Sequence, residues 1–242
     1  MFSKRTLLFI IICVIFFFLI NYKSKSKKEN FTLQQNTIKE KITYGLSIID
    51  KIFNTHDIYY TISYGTLLGA VRHWDMIPWD DDADITILRK DYYNVLALKD
   101  EFKAYGLIIE SDWKLIKVYF DDTKFPFIDI FIHDVENGNI VRCCEPFDTI
   151  NYIDKVNDWW WKWVNYPSDW ILQKKRYKFG DIEVWGPKEA EKVLKYWYGD
   201  NCLTNCQTAI LDHNTGEPID AKDIGCGELP DPQLLKYFKK NI

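Results

Sequence analysis

Four acidic residues fall within five positions of the stretch IPWDDDADI, which runs from Ile77 to Ile85. They are Asp80, Asp81, Asp82 and Asp84. Like charges at such short spacing raise one another's pKa or require a cation between them. Carboxylate oxygens without a neighbouring histidine or thiolate are the ligands that Mg²⁺ and Mn²⁺ prefer. The stretch therefore indicates a divalent-metal site.

Side-chain alternation assigns different roles to these aspartates. If a strand begins just before Ala83, Asp82 and Asp84 point to one face, because successive side chains of a strand point to opposite faces. We therefore predict Asp82 and Asp84 as metal ligands. Asp80 has the same parity and is expected to order the loop or to reach a metal through water. Asp81 is expected to point away as an exposed acid.

A third candidate ligand stands alone among apolar strand residues in the segment FIDIF. This residue is Asp129. A buried carboxylate is costly unless it is paired or binds a metal. Asp129 is therefore predicted to complete the metal site.

Two other kinds of structure contain acidic runs of similar composition. A solvated turn with a helix-capping role stays open as an alternative. A calcium-binding EF-hand loop is excluded, because Ile85 stands where that loop needs glycine and Asp91 stands where it needs a bidentate glutamate.

Alternating strands and helices are predicted to hold these residues in place. Helices are expected at about 36–54, from Thr66 onward, over 90–105 and over 187–198. Strands are expected at 58–65, at 83–88 and in the segments LIIES, KLIKVYF and FPFIDIFIHD. This alternation predicts an α/β domain. The tryptophan-rich segment Trp159 to Trp163 is predicted to pack in the core, with an exposed recognition surface as the alternative.

Composition limits the class of protein. The chain has 242 residues, of which 47% are hydrophobic, and this supports one globular domain with appendages. Its formal net charge is -4. No overall basic field exists to attract nucleic acid, so no nucleic-acid partner is predicted.

The N-terminal residues indicate membrane attachment. An apolar run from Leu7 to Ile20 lies between basic flanks, and no small-residue cleavage pattern follows it. Residues 1–22 are predicted as an uncleaved signal anchor in the lipid bilayer, 23–35 as a polar linker and 36–242 as the catalytic domain. The lysines after the run favour a cytosolic body, whereas the glycosylation triplet at Asn30 favours the opposite orientation.

Three cysteines near the C-terminus form a separate candidate site. Cys202 and Cys206 are separated by three residues, with Cys226 and His213 further along. A structural Zn²⁺ at Cys202, Cys206 and Cys226 is one prediction. The alternative is a set of small buried or free thiols with at most one disulfide.

Three segments carry a resemblance to a known family. The run YGTLLGAVRHWDMIPWDDDADI, Tyr64 to Ile85, resembles the signature of the LicD family, which includes bacterial phosphocholine transferases, fukutin and fukutin-related protein. FIDIFIHD and VLKYWYGD resemble its third-carboxylate strand and its closing helix. The likeness covers roughly Ile38 to Asp200.

The resemblance implies a fold and a set of site residues. The family belongs to the DNA polymerase beta-like nucleotidyltransferases, so a mixed-sheet domain of that kind is expected. Its Gly-Thr turn falls on Gly65 and Thr66, and its three carboxylates fall on Asp82, Asp84 and Asp129. These aspartates are then the catalytic residues that bind Mg²⁺ or Mn²⁺.

The substrate-binding residues follow in the same way. Thr66 and the backbone N–H groups at the helix start would hold the donor phosphates, with Gly65 in the turn. Arg72 would add a charge-assisted contact. His73 would do the same or act as a base, although an ordinary surface histidine is the favoured alternative.

The activity that the resemblance implies is transfer of a phospho-alcohol from a CDP-activated donor to a glycan hydroxyl. Phosphocholine and ribitol phosphate are the groups that family members carry. A type II orientation in the Golgi or endoplasmic reticulum lumen is the corresponding localisation. The alternatives are a nucleotide-sugar glycosyltransferase, which also uses Asp-x-Asp, and an inactive family member that serves as a binding protein.

Overall fold

The computed structural model describes residues 37–111, 115–120, 124–142 and 164–207, together with 211–212, 217–218, 223–224 and 226. The predicted anchor and linker lie outside these residues, as do the tryptophans at 159–163 and His213. Among the described residues, no helix has both the length and the apolar character needed to cross a bilayer.

Helices and strands alternate through the first half of the described chain. The helices are α1 (37–55), α2 (Tyr64–Arg72), α3 (Tyr92–Ala97), α4 (Lys99–Ala104), α5 (Asp169–Leu172) and α6 (Ala190–Tyr198), with a 3₁₀ turn at Arg89–Asp91. The longer strands are β1 (Tyr60–Ile62), β2 (Ala83–Leu88), β3 (Ile108–Ser111), β4 (Ile116–Tyr119), β5 (Phe127–Glu136), β6 (Asn139–Arg142), β7 (Asn165–Pro167), β8 (Lys174–Phe179) and β9 (Ile182–Pro187). Four two-residue strands follow: β10 (Cys206–Gln207), β11 (Leu211–Asp212), β12 (Glu217–Pro218) and β13 (Asp223–Ile224).

The main sheet mixes parallel and antiparallel pairs. In the described part of the chain it has seven strands, in the order β1-β2-β5-β4-β3, with β6 beside β5 and β7 beside β6. β2 and β5 are parallel, and the other neighbouring strands of this sheet are antiparallel. The strands β8 and β9 form a separate hairpin. The predicted mixed-sheet α/β fold class is thereby confirmed.

Helix α1 covers one face of the main sheet. Its apolar residues recur at helical spacing and are buried: Ile38, Ile42, Leu46, Ile49, Ile52 and Phe53. The helix approaches the sheet closely at Gly45, where a Cβ atom would lie 2.5 Å from the ring of Phe120 and 2.8 Å from Ile128. Burying each large aliphatic side chain contributes roughly 1.5–3 kcal/mol, so this interface is a main source of stability.

The first strand ends earlier than predicted, and the second helix begins earlier. The strand ends at Ile62 rather than Gly65, and α2 begins at Tyr64 rather than Thr66. Tyr64 has a φ of 43°, which turns the chain out of the strand and into the helix. The hydroxyl of Ser63 contacts Thr86 Oγ1 at 2.6 Å and does not cap the helix.

Two predicted helices are shorter than their sequence signals indicated. The helix predicted over 90–105 is divided into the 3₁₀ turn, α3 and α4, with a break at Leu98. The helix predicted from Pro187 begins at Ala190, because Pro187 is the last residue of β9 and pairs with Lys174. Pro187 is therefore the end of a strand and not the first residue of a helix, although acidic residues follow it.

A partly buried ion pair joins α1 to the β8–β9 hairpin. Arg176 donates from Nη1 to Asp50 Oδ1 at 2.6 Å and from Nη2 to Asp50 Oδ2 at 2.9 Å. Tyr60 Oη donates to the same Oδ1 at 2.5 Å. The guanidinium of Arg176 also lies 4.9 Å from the ring of Trp185. We refer to Asp50, Tyr60 and Arg176 as the Asp50 clamp.

One buried histidine lies on β5 outside the carboxylate group. His133 is fully buried, and among the described residues neither of its ring nitrogens has a hydrogen-bond partner. Burial lowers the pKa of this imidazole to about 3, because the charged form would have to leave water. His133 is therefore neutral in the folded protein.

This histidine should make the fold sensitive to acid. Between pH 6.5 and pH 3 the unfolded chain binds a proton at His133 that the folded chain does not, so stability falls as pH falls through this window. The slope from this residue is at most about 1.4 kcal/mol per pH unit. We expect His133→Phe to flatten the decline in the free energy of unfolding, measured by urea titration at several pH values.

The matched control is His56→Phe. His56 lies at the surface, paired with Glu101, so its replacement shows how much the loss of an exposed imidazole by itself changes the slope. An equal slope in wild type and His133→Phe would contradict the assignment of His133 as a neutral buried group.

Candidate active site

Three carboxylates converge at the start of the parallel strand pair. Asp84 on β2 and Asp129 on β5 are direct register partners. Asp82 precedes β2, and each of the three residues offers a ligand oxygen within 4.8 Å of the other two. Only 8% of Asp82 and 9% of Asp129 is exposed. The structure thus brings together the three aspartates that the sequence singled out.

The local sequence explains this convergence. Ala83 and Ile85 alternate with Asp84, and they are buried in the core with exposures of 1% and 0%. Their burial turns the Asp84 side chain to the opposite face of the sheet. Ile128 and Ile130 flank Asp129 in the same way, and both are fully buried.

The aspartates before the strand do not follow the predicted alternation. Asp80, Asp81 and Asp82 form a second group whose ligand oxygens also lie within 4.8 Å of one another. Asp81 is only 5% exposed, so its prediction as an exposed acid was wrong. The reason is that β2 begins at Ala83, and strand parity does not extend into the loop before it.

The chemistry of the donor set fits a hard divalent cation. Among the described residues, both groups able to hold a metal ion consist of aspartates alone. Oxygen-only ligands with clustered negative charge suit Mg²⁺ or Mn²⁺, whereas zinc sites usually include nitrogen or sulfur. Three carboxylates at this spacing repel one another, and a divalent ion would relieve that repulsion.

The Gly-Thr pair lies directly against the carboxylates. A Cβ atom on Gly65 would be 2.9 Å from Asp80 Oδ2 and 4.0 Å from Asp84 Oδ2. The absence of a side chain at Gly65 therefore leaves room for the acidic group. Thr66 is 3% exposed, and its Oγ1 accepts a hydrogen bond of 2.7 Å from the backbone N–H of Asp84. Thr66 thus fixes the start of β2 relative to α2.

Arg72 and His73 lie at the other end of α2. Arg72 Nη1 donates to the carbonyls of Cys202 and Asn205 at 3.0 and 3.3 Å, and its Nε donates to His73 Nε2 at 2.9 Å. Burial lowers the pKa of Arg72, while Cys202, Tyr198 and Asp80 act in the opposite direction. Burial and the Arg72 charge both lower the pKa of His73. The structure groups this pair with the C-terminal loop.

Two tyrosines face the carboxylates, although the sequence did not single them out. Burial raises the pKa of Tyr64 and of Tyr198, and Asp84 raises both further. Asp80 and Asp82 add to the effect on Tyr198. Both phenols therefore stay neutral in this anionic site. Tyr198 is part of the YGD segment at the end of α6, and this segment is the sequence feature that could have identified it.

A lysine completes the surroundings of Asp129. Lys117 Nζ lies 2.5 Å from Asp129 Oδ1 and 3.8 Å from the centre of the Phe127 ring. Lys117 was not among the residues predicted from the sequence, although the sequence pattern around it matches that around Asp129. It is a single charge between the buried strand residues Ile116 and Val118.

The C-terminal cysteines form a disulfide in the structure. Cys206 and Cys226 are bonded to each other, and Cys202 is a buried free thiol. Cysteines joined in a disulfide have no thiolate that could bind the Zn²⁺ predicted at Cys202, Cys206 and Cys226. The alternative of one disulfide with a free thiol is the arrangement observed.

Comparisons with known proteins point to one family. The family model described as LicD/FKTN/FKRP, nucleotidyltransferase domain, matches residues 57–189, more than half of the chain. An uncharacterized protein of Rickettsia typhi is 36% identical over 149 residues, which are 59% of this chain and 42% of that protein.

Two relatives with named activities are more distant. The lipopolysaccharide cholinephosphotransferase LicD of Haemophilus influenzae is 27% identical over 122 residues, covering 42% of this chain and 46% of that one. The human ribitol 5-phosphate transferase FKRP is 24% identical over 157 residues, covering 61% and 29%. Each of these three matches spans less than half of the relative's own length.

Proposed function

The chain belongs to the LicD/FKTN/FKRP nucleotidyltransferase-domain family, and from this premise we propose that it is a metal-dependent transferase. It moves a phospho-alcohol, such as phosphocholine or ribitol phosphate, from a CDP-activated donor to the hydroxyl of a glycan. The observation that carries the proposal is the register pairing of Asp84 with Asp129 on parallel strands, with Asp82 in the same group. The names of the LicD and FKRP relatives support the class of transferred group.

Asp82, Asp84 and Asp129 would hold Mg²⁺ or Mn²⁺ in this scheme. Such an ion supplies charge stabilisation for the attacking and leaving oxygens of phosphoryl transfer. Asp80 lies beside Asp82 and Gly65, where it orders the loop that carries the first ligand. The chain's own contribution is to keep these carboxylates convergent on a rigid pair of strands.

The start of α2 is the proposed phosphate-binding element. The side chain of Ser63 makes no capping hydrogen bond, so it does not occupy the backbone N–H groups of the first turn. Those groups and the helix dipole favour an anion. Gly65 lets the donor phosphates approach the backbone, and Thr66 holds this turn against β2.

Neutral phenols and one guanidinium complete the binding groups. Tyr64 and Tyr198 are neutral phenols near the carboxylates, where an ionised phenol would be repelled. Arg72 is within electrostatic range of Asp80. We assign Arg72 to a contact that orients the acidic loop toward the donor.

The alternative functions differ from this proposal in their requirements. A nucleotide-sugar glycosyltransferase needs the Asp-x-Asp pair but neither a Gly-Thr turn against it nor a carboxylate on the adjacent strand. In this chain Gly65 lies against the carboxylates, and Asp129 is a member of the acidic group. An inactive binding protein would not need the three carboxylates to converge.

In the direct test, the purified chain in detergent is incubated with a panel of donors and glycan acceptors in the presence of Mn²⁺ or Mg²⁺. We expect release of CMP from CDP-choline, CDP-ribitol or CDP-glycerol and a product whose intact mass gains the matching phospho-alcohol. Removal of the metal by EDTA should stop the reaction, because the carboxylates alone provide no positive charge for the phosphate.

Asp84→Asn protein serves as the control for contaminating activity. Transfer of a hexose from a nucleotide sugar would support the glycosyltransferase alternative instead. Donor binding without turnover across the whole panel would support the inactive binding protein.

A further inference from the structure

A row of charged residues crosses the sheet at the proposed metal site. Asp84 pairs with Asp129 in register, Asp129 pairs with Lys117, and Lys117 pairs with Glu110. These four residues lie side by side on β2, β5, β4 and β3. Directly opposed residues of neighbouring strands share a face of the sheet, so one lysine is placed among three acids.

The contacts of this row direct Lys117 toward the metal site. Glu110, its neighbour on the outer side, is paired with Lys124 at 2.5 Å. Lys117 instead contacts Asp129 Oδ1 at 2.5 Å, and its side chain is 25% exposed. The ring of Phe127 lies 3.8 Å from the ammonium and supports its position by a cation–π contact.

This ion pair conflicts with metal binding at the same carboxylate. An ammonium and a divalent cation on one carboxylate group repel each other, most strongly where the site is shielded from water. Asp129 is 9% exposed, so solvent screening is weak. When a metal binds, Lys117 must give up its contact, and its flexible stem then allows the ammonium to reach a nearby anion.

We propose that Lys117 is a phosphate-binding residue that rests on Asp129 until metal and donor arrive. Metal binding at Asp129 releases the ammonium, which then binds the diphosphate group of the donor. The identity of the donor rests on the function proposed above, whereas the exchange between Lys117 and the metal does not.

The proposal predicts effects of opposite sign in two binding measurements. We expect Lys117→Met to bind Mn²⁺ alone about tenfold more tightly than wild type, because a competing cation is removed. We expect the same variant to bind inorganic pyrophosphate in the presence of saturating Mn²⁺ about tenfold more weakly, because a charged phosphate contact is lost. Electron paramagnetic resonance of free Mn²⁺ gives the first value, and calorimetry gives the second.

Two further variants make the test specific. Lys117→Arg keeps a cation at this position and should stay within about threefold of wild type in both measurements. Lys192→Met removes a lysine that pairs with Glu189 at the surface, and it should change neither value. Thermal melting of each variant establishes that the protein is folded.

Unchanged or weaker Mn²⁺ binding by folded Lys117→Met would overturn the proposal, because Lys117 would then not compete for Asp129. Unchanged or tighter pyrophosphate binding would overturn the phosphate role. Both probes lack cytidine and alcohol groups. If they behave as expected while no CDP-linked donor is consumed, the function proposed above fails and the assignment of Lys117 stands.

Discussion

Replacing Asp84 with asparagine should abolish transfer, with kcat/KM falling by at least about a thousandfold. Asp84 shares the acidic group with Asp82 and Asp129, so its loss removes one ligand from the proposed metal site. Asn keeps the size of the side chain but not its charge. The same change at Asp82 should have a similar effect, measured as CMP release from the active CDP-linked donor at saturating Mn²⁺.

The fold should survive this change and gain stability from it. One of three crowded carboxylates becomes neutral, which relieves repulsion when no metal is bound. We therefore expect the melting temperature without metal to stay equal or to rise. Asp134→Asn is the matched control, since Asp134 lies on the same strand as Asp129 but pairs with Arg89 at the surface. Full activity in Asp82→Asn or Asp84→Asn would remove that residue from the metal site.

The second large effect is expected in stability, at the Asp50 clamp. Asp50→Asn should lower the free energy of unfolding by about 2–3 kcal/mol, less than for a fully buried pair because the partners are partly exposed. The side chains of Asp50 and Arg176 are 18% and 29% exposed. The change weakens two charge-assisted bonds from Arg176 and the bond from Tyr60. Urea titration monitored by circular dichroism measures the loss.

A surface pair provides the contrast. Glu191 and Lys195 are 2.7 Å apart on α6 and well exposed, so Glu191→Gln should cost far less stability than Asp50→Asn. If Asp50→Asn costs as little as this control, the clamp does not hold α1 to the hairpin. A large loss of stability with unchanged donor affinity would show that the clamp acts on the fold alone.

Isolated charges in apolar strands were the most informative signal in the sequence. Asp84 and Asp129 each stand between buried aliphatic residues, and this pattern led to the prediction that both belong to one metal site. Lys117 shows the same pattern, yet its importance depends on a strand pairing that the sequence does not reveal. An isolated charged residue in an apolar strand indicates a functional or paired position. Which residue it pairs with depends on the order of strands in the sheet.

Other features required tertiary information for a different reason. The parity argument failed at Asp81 because it extended strand alternation into the loop before Ala83, where β2 has not yet begun. The β8–β9 hairpin was not predicted, since its strands are rich in lysine, tyrosine and other partly exposed residues and lack a clear apolar alternation. Tyr64 began a helix with a positive φ, which no residue preference would indicate.

The pairing of Asp84 with Asp129 has a consequence for how errors in folding would appear. A slip of β5 by one residue would bring Ile128 or Ile130 opposite Asp84 and turn the Asp129 side chain toward α1. Such a misfolded chain would keep its secondary structure but lose the proposed metal site. If the aspartates hold a metal ion as proposed, Mn²⁺ binding would therefore separate correctly folded molecules from compact ones with shifted strands.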